Sequence, residues 1–271
     1  MPIVGWSCPS CKADVPLDHF ETTPCGRARD GRPSVHPSFA AAVLKHDREH
    51  YARDLGMAEV SSGLGCPRES GIMRAEKVYV DPLAYNASLS GTAWHREMDG
   101  AVVPGIVTEY VVRGSLGMVN IIGKIDYLWR EHLLIGDHKR KNDKGADRAK
   151  KEDVNKDNVA QISLYAELVW QQDNWRPVRG EIIYGSHGRG LVPREIPKLM
   201  SAGEFLAHKP CSGEQYTVLD LLRATDANIR GVIRWQDLPL VGETMSFGPT
   251  TKCDWCAVRS VCWTQARGAA F

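Results

Sequence analysis

The chain has 271 residues, 43% of them hydrophobic and 25% charged, and a formal net charge of +1. This is ordinary for a globular chain with a real core, long enough for one large domain or two small ones, and it excludes a global field that would by itself declare a nucleic-acid partner. No apolar stretch approaches a membrane span and no signal-peptide pattern opens the sequence, so a cytoplasmic protein with no membrane partner is predicted.

Residues 1–36 are rich in proline, glycine and turn formers and form a first predicted unit, with 37–271 as the second. Trp6-Ser7-Cys8-Pro9-Ser10-Cys11 has the spacing of half a zinc knuckle. Cys25 offers a third thiolate, and His19 or His36 a fourth ligand, for tetrahedral zinc. Pro37 to about Leu55 reads as a helix, with proline in the first turn and Gly56 as a stop. A short helical segment opens at Cys66-Pro67-Arg68, and another helix runs from about Asn86 to Met98 through Gly91-Thr92-Ala93-Trp94-His95. A strand from Ile106 to Arg113, a turn at Gly114-Ser115 and a strand from Gly123 to Trp129 follow. Arg130-Glu131-His132 is short enough for a hairpin connection to Leu133–Lys139, giving an antiparallel three-strand meander.

The last two strands each end an apolar run on a carboxylate, Asp126 and Asp137. Strand alternation puts Ile125, Tyr127 and Trp129 on one face and Lys124, Asp126 and Leu128 on the other. By the same rule Asp137 and Lys139 point one way and His138 the other. Taken alone, this suits either a polar sheet face meeting water or a site holding a divalent ion and a water against a phosphodiester. The basic run from His138 to Lys156 reads as a solvated loop. Asp157 or Asn158 can cap a helix to about Gln171, on which Gln161 and Tyr165 share a face. Gly180–Ser186 is a fourth strand, and a helix spans about Thr217 to Trp235. In a reducing compartment clustered cysteines point to metal, and Cys66, Cys253, Cys256 and Cys262 suit either zinc or a [4Fe–4S] cluster. Cys211 has no partner spacing and reads as a buried or incidental thiol. The element order is that of a mixed α/β core with the acids on central strands.

Six elements stand in one order: Cys66-Pro67-Arg68, Gly91-x-x-x-His95, Gly123-x-x-Asp126, Asp137-x-Lys139, Gln161-x-x-x-Tyr165 and Cys253-x2-Cys256-x5-Cys262. Together they resemble the PD-(D/E)XK nuclease superfamily, in its RecB-type branch with an iron–sulfur cluster, which includes CRISPR-associated exonucleases. The resemblance implies a restriction-endonuclease-like α/β core, a mixed central sheet flanked by helices, with the N-terminal cysteine knuckle as an addition. It implies His95, Asp126, Asp137 and the His138 backbone carbonyl as ligands of Mn²⁺ or Mg²⁺, the imidazole tilting preference toward Mn²⁺. Lys139 would orient or help deprotonate the attacking water, and Gln161 and Tyr165 would position the lysine and the substrate. Cys66, Cys253, Cys256 and Cys262 would hold a structural [4Fe–4S] cluster. Glu109 resembles a recurring family glutamate, for which a structural or salt-bridging role is expected.

The chain departs from the pattern in having Asp rather than Glu before Lys139, His138 where an aliphatic residue is common, and a long basic stretch after Lys139. The activity implied is that of a metal-dependent DNA exonuclease acting on ends or single strands, single-stranded DNA being favoured over duplex. It would serve recombination, repair or CRISPR and phage DNA processing, with protein partners there. The alternatives are a catalytically silent nucleic-acid-binding or assembly subunit on an iron–sulfur scaffold, and an iron–sulfur redox protein.

Overall fold

A computed structural model describes residues 3–8, 11, 13–22, 35, 37–51, 56–76, 78–80, 82, 86–99, 103–186, 188–196, 198–200, 216–238, 256, 258 and 261–262. Cys25, His36, Cys211 and Cys253, all singled out by the sequence, lie outside these described residues.

The hub is an 11-residue strand, β6 (Val119–Trp129). Before it in the chain come β1 (Ile3–Ser7), β2 (Asp14–Val15), β3 (Ala58–Glu59), β4 (Val78–Val80) and β5 (Ile106–Leu116); after it come β7 (Leu134–Arg140), β8 (Arg179–Ser186) and β9 (Gly190–Ile196). β5 pairs antiparallel from end to end of β6, with a break in the ladder at Glu109 and Asp126. The other edge of β6 is shared, by β3 in parallel near its start and by β7 antiparallel near its end. The sheet continues through β8, parallel to β7, to β9, antiparallel at the edge. Ile121, Ile125 and Leu128 on β6, Ile135 on β7 and Ile182 on β8 are fully buried, because the sheet is flanked by helices.

The helices are α1 (His19–Thr22), α2 (Pro37–Tyr51), α3 (Pro67–Ala75), α4 (Asn86–Asp99), α5 (Asp143–Lys151), α6 (Lys156–Asp173) and α7 (Val218–Ile229). α6 buries Ile162, Leu164, Leu168 and Val169 in the main core with the sheet. Its far end docks on β5 through glutamine side chains. Gln171 donates to the Ser115 carbonyl (2.9 Å) and accepts from the Ser115 amide (2.8 Å), and Gln172 accepts from the Arg113 amide (2.8 Å). A second core joins the N-terminal sheet β2-β1-β4 to α3 and to the C-terminal Trp235, Val258 and Cys262. No helix among the described residues is long and apolar enough to cross a membrane.

Four expectations are corrected, and one strand had none. The β5–β6 hairpin turns at Gly117-Met118, not Gly114-Ser115; Gly114 pairs with Ile121 and Ser115 with Asn120, while Gly117 takes φ 62°. The basic run is largely α5 rather than a loop. Asn142 caps it by accepting from the Gly145 amide (2.8 Å), and Arg148, Lys150 and Lys151 complement the helix dipole in its last turn. α6 starts earlier than expected, capped by Asn155, which accepts from the Asp157 amide (2.8 Å). α7 stops at Ile229 before Gly231 (φ 70°), and Trp235 belongs to a separate 3-10 turn. β9 had no predicted counterpart: Pro193 argues against a strand, but β9 is an edge, where a missing N–H is tolerated.

Candidate active site

β6 and β7 pair at Tyr127–Gly136, Leu128–Ile135 and Trp129–Leu134, and pairing stops there. The next facing residues in that register are Asp126 and Asp137. With the ladder broken, the His138 amide donates to Asp126 Oδ2 (2.6 Å). That bond gives a buried N–H its acceptor and fixes the carboxylate. Asp126 and Asp137 are both buried.

α4 brings His95 against the first acid, with Nδ1 3.4 Å from Asp126 Oδ1. On the other side Lys139 Nζ lies 2.8 Å from Asp137 Oδ2, at an ion-pair distance without the angles of a hydrogen bond. Lys139 Nζ donates to Gln161 Oε1 (3.1 Å), and Gln161 Nε2 donates to Asp137 Oδ1 (3.2 Å) and Tyr165 Oη (3.1 Å). The Tyr165 ring lies over Gly123, where a Cβ would come within 2.5 Å of Cε1. Two motif positions far apart in sequence thus require each other.

The His138 ring lies 5.0 Å from the Tyr127 ring and 6.5 Å from the His95 ring, with Nδ1 3.9 Å from Asp126 Oδ2, while Tyr127 Oη donates to Glu181 Oε2 (2.6 Å). Asp137 and Lys139 share a side, both bonded to Gln161, whereas the His138 ring does not point clear of Asp126 and His95 as alternation led one to expect. The His138 Nδ1 is buried and has no hydrogen-bond partner among the described residues.

Electrostatics separate the two acids. Burial pushes the Asp137 carboxyl up to about 6, with Lys139 opposing and the Asp126 charge adding to the rise. Burial acts on Asp126 in the same direction, but His95, the His138 amide and Lys139 outweigh it and hold that carboxyl below its ordinary value. His95 is correspondingly raised, chiefly by its hydrogen bond to Asp126 and against burial. Burial lowers His138, and it raises the Tyr165 phenol with help from the Asp137 charge.

The ligand atoms of His95, Asp126 and Glu109 lie within 4.8 Å of one another, and Asp137 stands outside that group of three. Glu109 does form the expected salt bridge, with Lys124. Its other oxygen is buried without a hydrogen-bond partner among the described residues, and its backbone is left-handed (φ 52°). Sequence reasoning assigned Glu109 only the structural role, because a turn at Gly114-Ser115 would not set position 109 opposite 126 as the observed β5–β6 register does.

A family model described as the PD-(D/E)XK nuclease superfamily matches residues 45–263. The chain belongs to the PD-(D/E)XK nuclease superfamily. Membership implies a metal-dependent nuclease. Among solved structures the chain is similar to one described as "Crystal structure of SSO0001", at 14% identity over 82% of this chain and 94% of that chain, with a TM-score of 0.49. No curated protein matches.

The residues at this PD-(D/E)XK site fit a hard divalent cation. Glu109 Oε1 is a buried carboxylate oxygen lacking a hydrogen-bond partner among the described residues, beside Asp126 and one imidazole, and Asp137 Oδ2, paired with Lys139 at 2.8 Å, is a further carboxylate oxygen at the site. The cysteine bracket is only partly within the described residues. Cys66 caps α3 and is half-buried, Cys256 is half-buried and Cys262 is buried. These three form no ligand group within 4.8 Å among the described residues. Arg68, two residues after Cys66, ties α3 to the C-terminal segment by donating to the Leu238 carbonyl (3.2 and 2.9 Å) and the Gln236 carbonyl (2.9 Å).

Proposed function

We propose that this protein is a Mg²⁺- or Mn²⁺-dependent deoxyribonuclease that degrades DNA from ends, with single strands favoured over duplex. The observation that carries the reading is the convergence of Asp126, Asp137 and Lys139 where β6 and β7 part, with Gln161 bonded to both Asp137 and Lys139. His95, Asp126 and Asp137, joined by Glu109 and the His138 carbonyl, would hold the cation. When bound, it would supply positive charge at the scissile phosphate and ease ionisation of the attacking water.

The chain's own groups do the rest. Lys139 stands where it orients the water and offsets charge building on the phosphate. Gln161 fixes the lysine ammonium and the Asp137 carboxylate relative to each other, and Tyr165 anchors Gln161 from a buried position. Beyond Lys139, a cavity of about 570 Å³ is lined by Arg140, Lys141, Asn142, Asp143 and Lys144. Arg140 stacks on Trp94 (5.5 Å), and Lys141 lies over the Tyr184 ring (5.8 Å). Arg140, Lys141 and Lys144 beside Lys139 suit a sugar–phosphate backbone, and binding there weakens as salt rises. Cys66, Cys253, Cys256 and Cys262 would carry the [4Fe–4S] cluster that the family resemblance implies, tying the C-terminal tail to α3.

The test is a nuclease assay on end-labelled linear and on circular DNA, single- and double-stranded, with Mg²⁺ or Mn²⁺. Linear single strands should shorten from an end, circles should survive, and Asp126→Ala and Lys139→Ala should be inactive. Cutting of circles at the linear rate would refute end-dependence. DNA binding without turnover under either metal would leave a silent binding subunit instead. A brown, air-sensitive absorbance after anaerobic purification, lost in Cys256→Ser, would support the cluster; colourless protein would refute it.

A further inference from the structure

The active site uses none of the N-terminal cysteines. Cys8 follows directly on β1, Cys11 lies in the turn before β2, and His19 opens α1. The Cys8 amide donates to the Ala13 carbonyl (2.9 Å), closing the turn, and the His19 amide donates to the Pro16 carbonyl (3.1 Å). The two sulfurs and one ring nitrogen of His19 all lie within 4.8 Å of one another. Ligands of a tetrahedral zinc ion, with bonds of about 2.3 Å to sulfur and 2.0–2.1 Å to nitrogen, stand about 3.5–3.8 Å apart, so modest closure brings these three into range.

A second observation points to a ligand. His19 is 93% buried, at 7% exposure, yet its Nε2 has no hydrogen-bond partner among the described residues. A buried ring nitrogen left in this state is costly, and donation to a metal resolves the cost. The donor set is thiolate and imidazole with no carboxylate among the three, the opposite of the oxygen-rich group formed by His95, Glu109 and Asp126. Softness therefore separates the two places, one suited to Zn²⁺ and the other to Mg²⁺ or Mn²⁺.

We infer that Cys8, Cys11 and His19 form a zinc site, three of the four positions of a tetrahedral centre. The site pins the β1–β2 turn to α1 over the second core. Trp6, one strand position from the turn, is fully buried, donates from its indole nitrogen to the Leu17 carbonyl (2.9 Å) and sits 6.1 Å from Phe20. β1 pairs with β4 on its other side, and the same core reaches Ile72, Trp235 and Cys262. Metal at this corner therefore stabilises the sheet that joins the N-terminal segment to the C-terminal tail.

Zinc content of the purified full chain tests this. Wild type is expected to carry one more zinc equivalent than Cys8→Ser/Cys11→Ser, and chelation should lower the melting temperature of wild type but not of that variant. Equal zinc content in the two would overturn the assignment. Should the variant fail to fold, wild type alone decides. Cys11 is exposed, so its alkylation rate, followed by peptide mass spectrometry, should fall at least tenfold when Zn²⁺ is restored to stripped protein and stay unchanged with Mg²⁺. An alkylation rate indifferent to Zn²⁺, or a Cys8–Cys11 disulfide in place of the metal, would overturn it.

Discussion

Gln161 offers the sharpest test of the active-site reading, because its amide can be satisfied in only one orientation. Lys139 can only donate and an ionised Asp137 can only accept, so Oε1 must face the lysine and Nε2 the carboxylate, as observed at 3.1 and 3.2 Å. Gln161→Met keeps the length and helix propensity of the residue in α6 while removing the bonds to Lys139, Asp137 and Tyr165. Hydrogen bonds to charged groups contribute about 1.5–3 kcal/mol each, and Lys139, being partly exposed, regains some from water. A net loss of about 2–3 kcal/mol in the transition state is expected, or about 30- to 150-fold in kcat. Gln161→Glu keeps the contact to Lys139 but sets an acceptor against Asp137, whose carboxyl burial already raises to about 6. It should be the slower of the two variants. Steady-state kinetics on end-labelled DNA at saturating metal separate kcat from KM, and thermal melting controls for folding. A Met variant with wild-type kcat, a Glu variant faster than the Met variant, or a change confined to KM would refute the positioning role.

Glu109→Gln removes a charge from the group it shares with His95 and Asp126, so Mn²⁺ affinity measured by calorimetry should fall about 10- to 100-fold; unchanged affinity would exclude Glu109 from the metal site. Gly136→Ala would put a Cβ 1.9 Å from Tyr127 Cζ and disturb the Tyr127–Glu181 hydrogen bond, so urea denaturation should show a loss of about 1–3 kcal/mol or more. Thr217→Ala removes the hydroxyl half of a reciprocal cap, in which Thr217 Oγ1 accepts from the Asp220 amide (3.1 Å) and donates to Asp220 Oδ2 (2.8 Å), and leaves the backbone amide's bond to Asp220 in place, at a cost of about 1 kcal/mol at neutral pH. The Thr217 amide and hydroxyl hold the Asp220 carboxyl below its ordinary 3.8, and the hydroxyl's share, which the alanine variant lacks, is complete above that value and is lost as pH falls below it. The stability gap between wild type and Thr217→Ala should therefore narrow in acid, and a gap that widens there would contradict the cap.

The meander was legible because β5, β6 and β7 are consecutive and joined by short connections, so local pairing was the cheapest topology to propose. The parallel pairing of β8 with β7 was not legible, since it closes across α5 and α6 and leaves no local mark. α5 was missed for a different reason. Its mean polarity reads as loop, but the cap at Asn142, Asp143 in the first turn and the basic last turn together spell a helix that packs little. The two-residue strand β2 is too short to show a period, and β1 is buried at Ile3, Gly5 and Trp6 without clean alternation. The site residues carried by motif were visible in order, whereas the place of Glu109 required the register of the sheet.

That register explains why the site falls where it does. Thr108 pairs with Tyr127 and Tyr110 with Ile125, which sets Glu109 opposite Asp126; Tyr127 pairs with Gly136, which sets Asp126 opposite Asp137. The regular sheet fails at this one level on three neighbouring strands. On β5, Glu109 turns left-handed, a conformation that costs a non-glycine residue about 1–3 kcal/mol. On β6, Asp126 drops out of both ladders, and on β7 the His138 amide turns to a side chain for its acceptor. Intact ladders would point the backbone groups at one another and hold the acids about a strand spacing apart with no common focus. Breaking them lets β5 and β6 turn the Glu109 and Asp126 carboxylates toward His95, with Asp137 and Lys139 presented alongside from β7. The distortion persists because the residues above and below it, Ile125, Leu128 and Ile135, are fully buried and keep the strands from sliding to a register that would heal it.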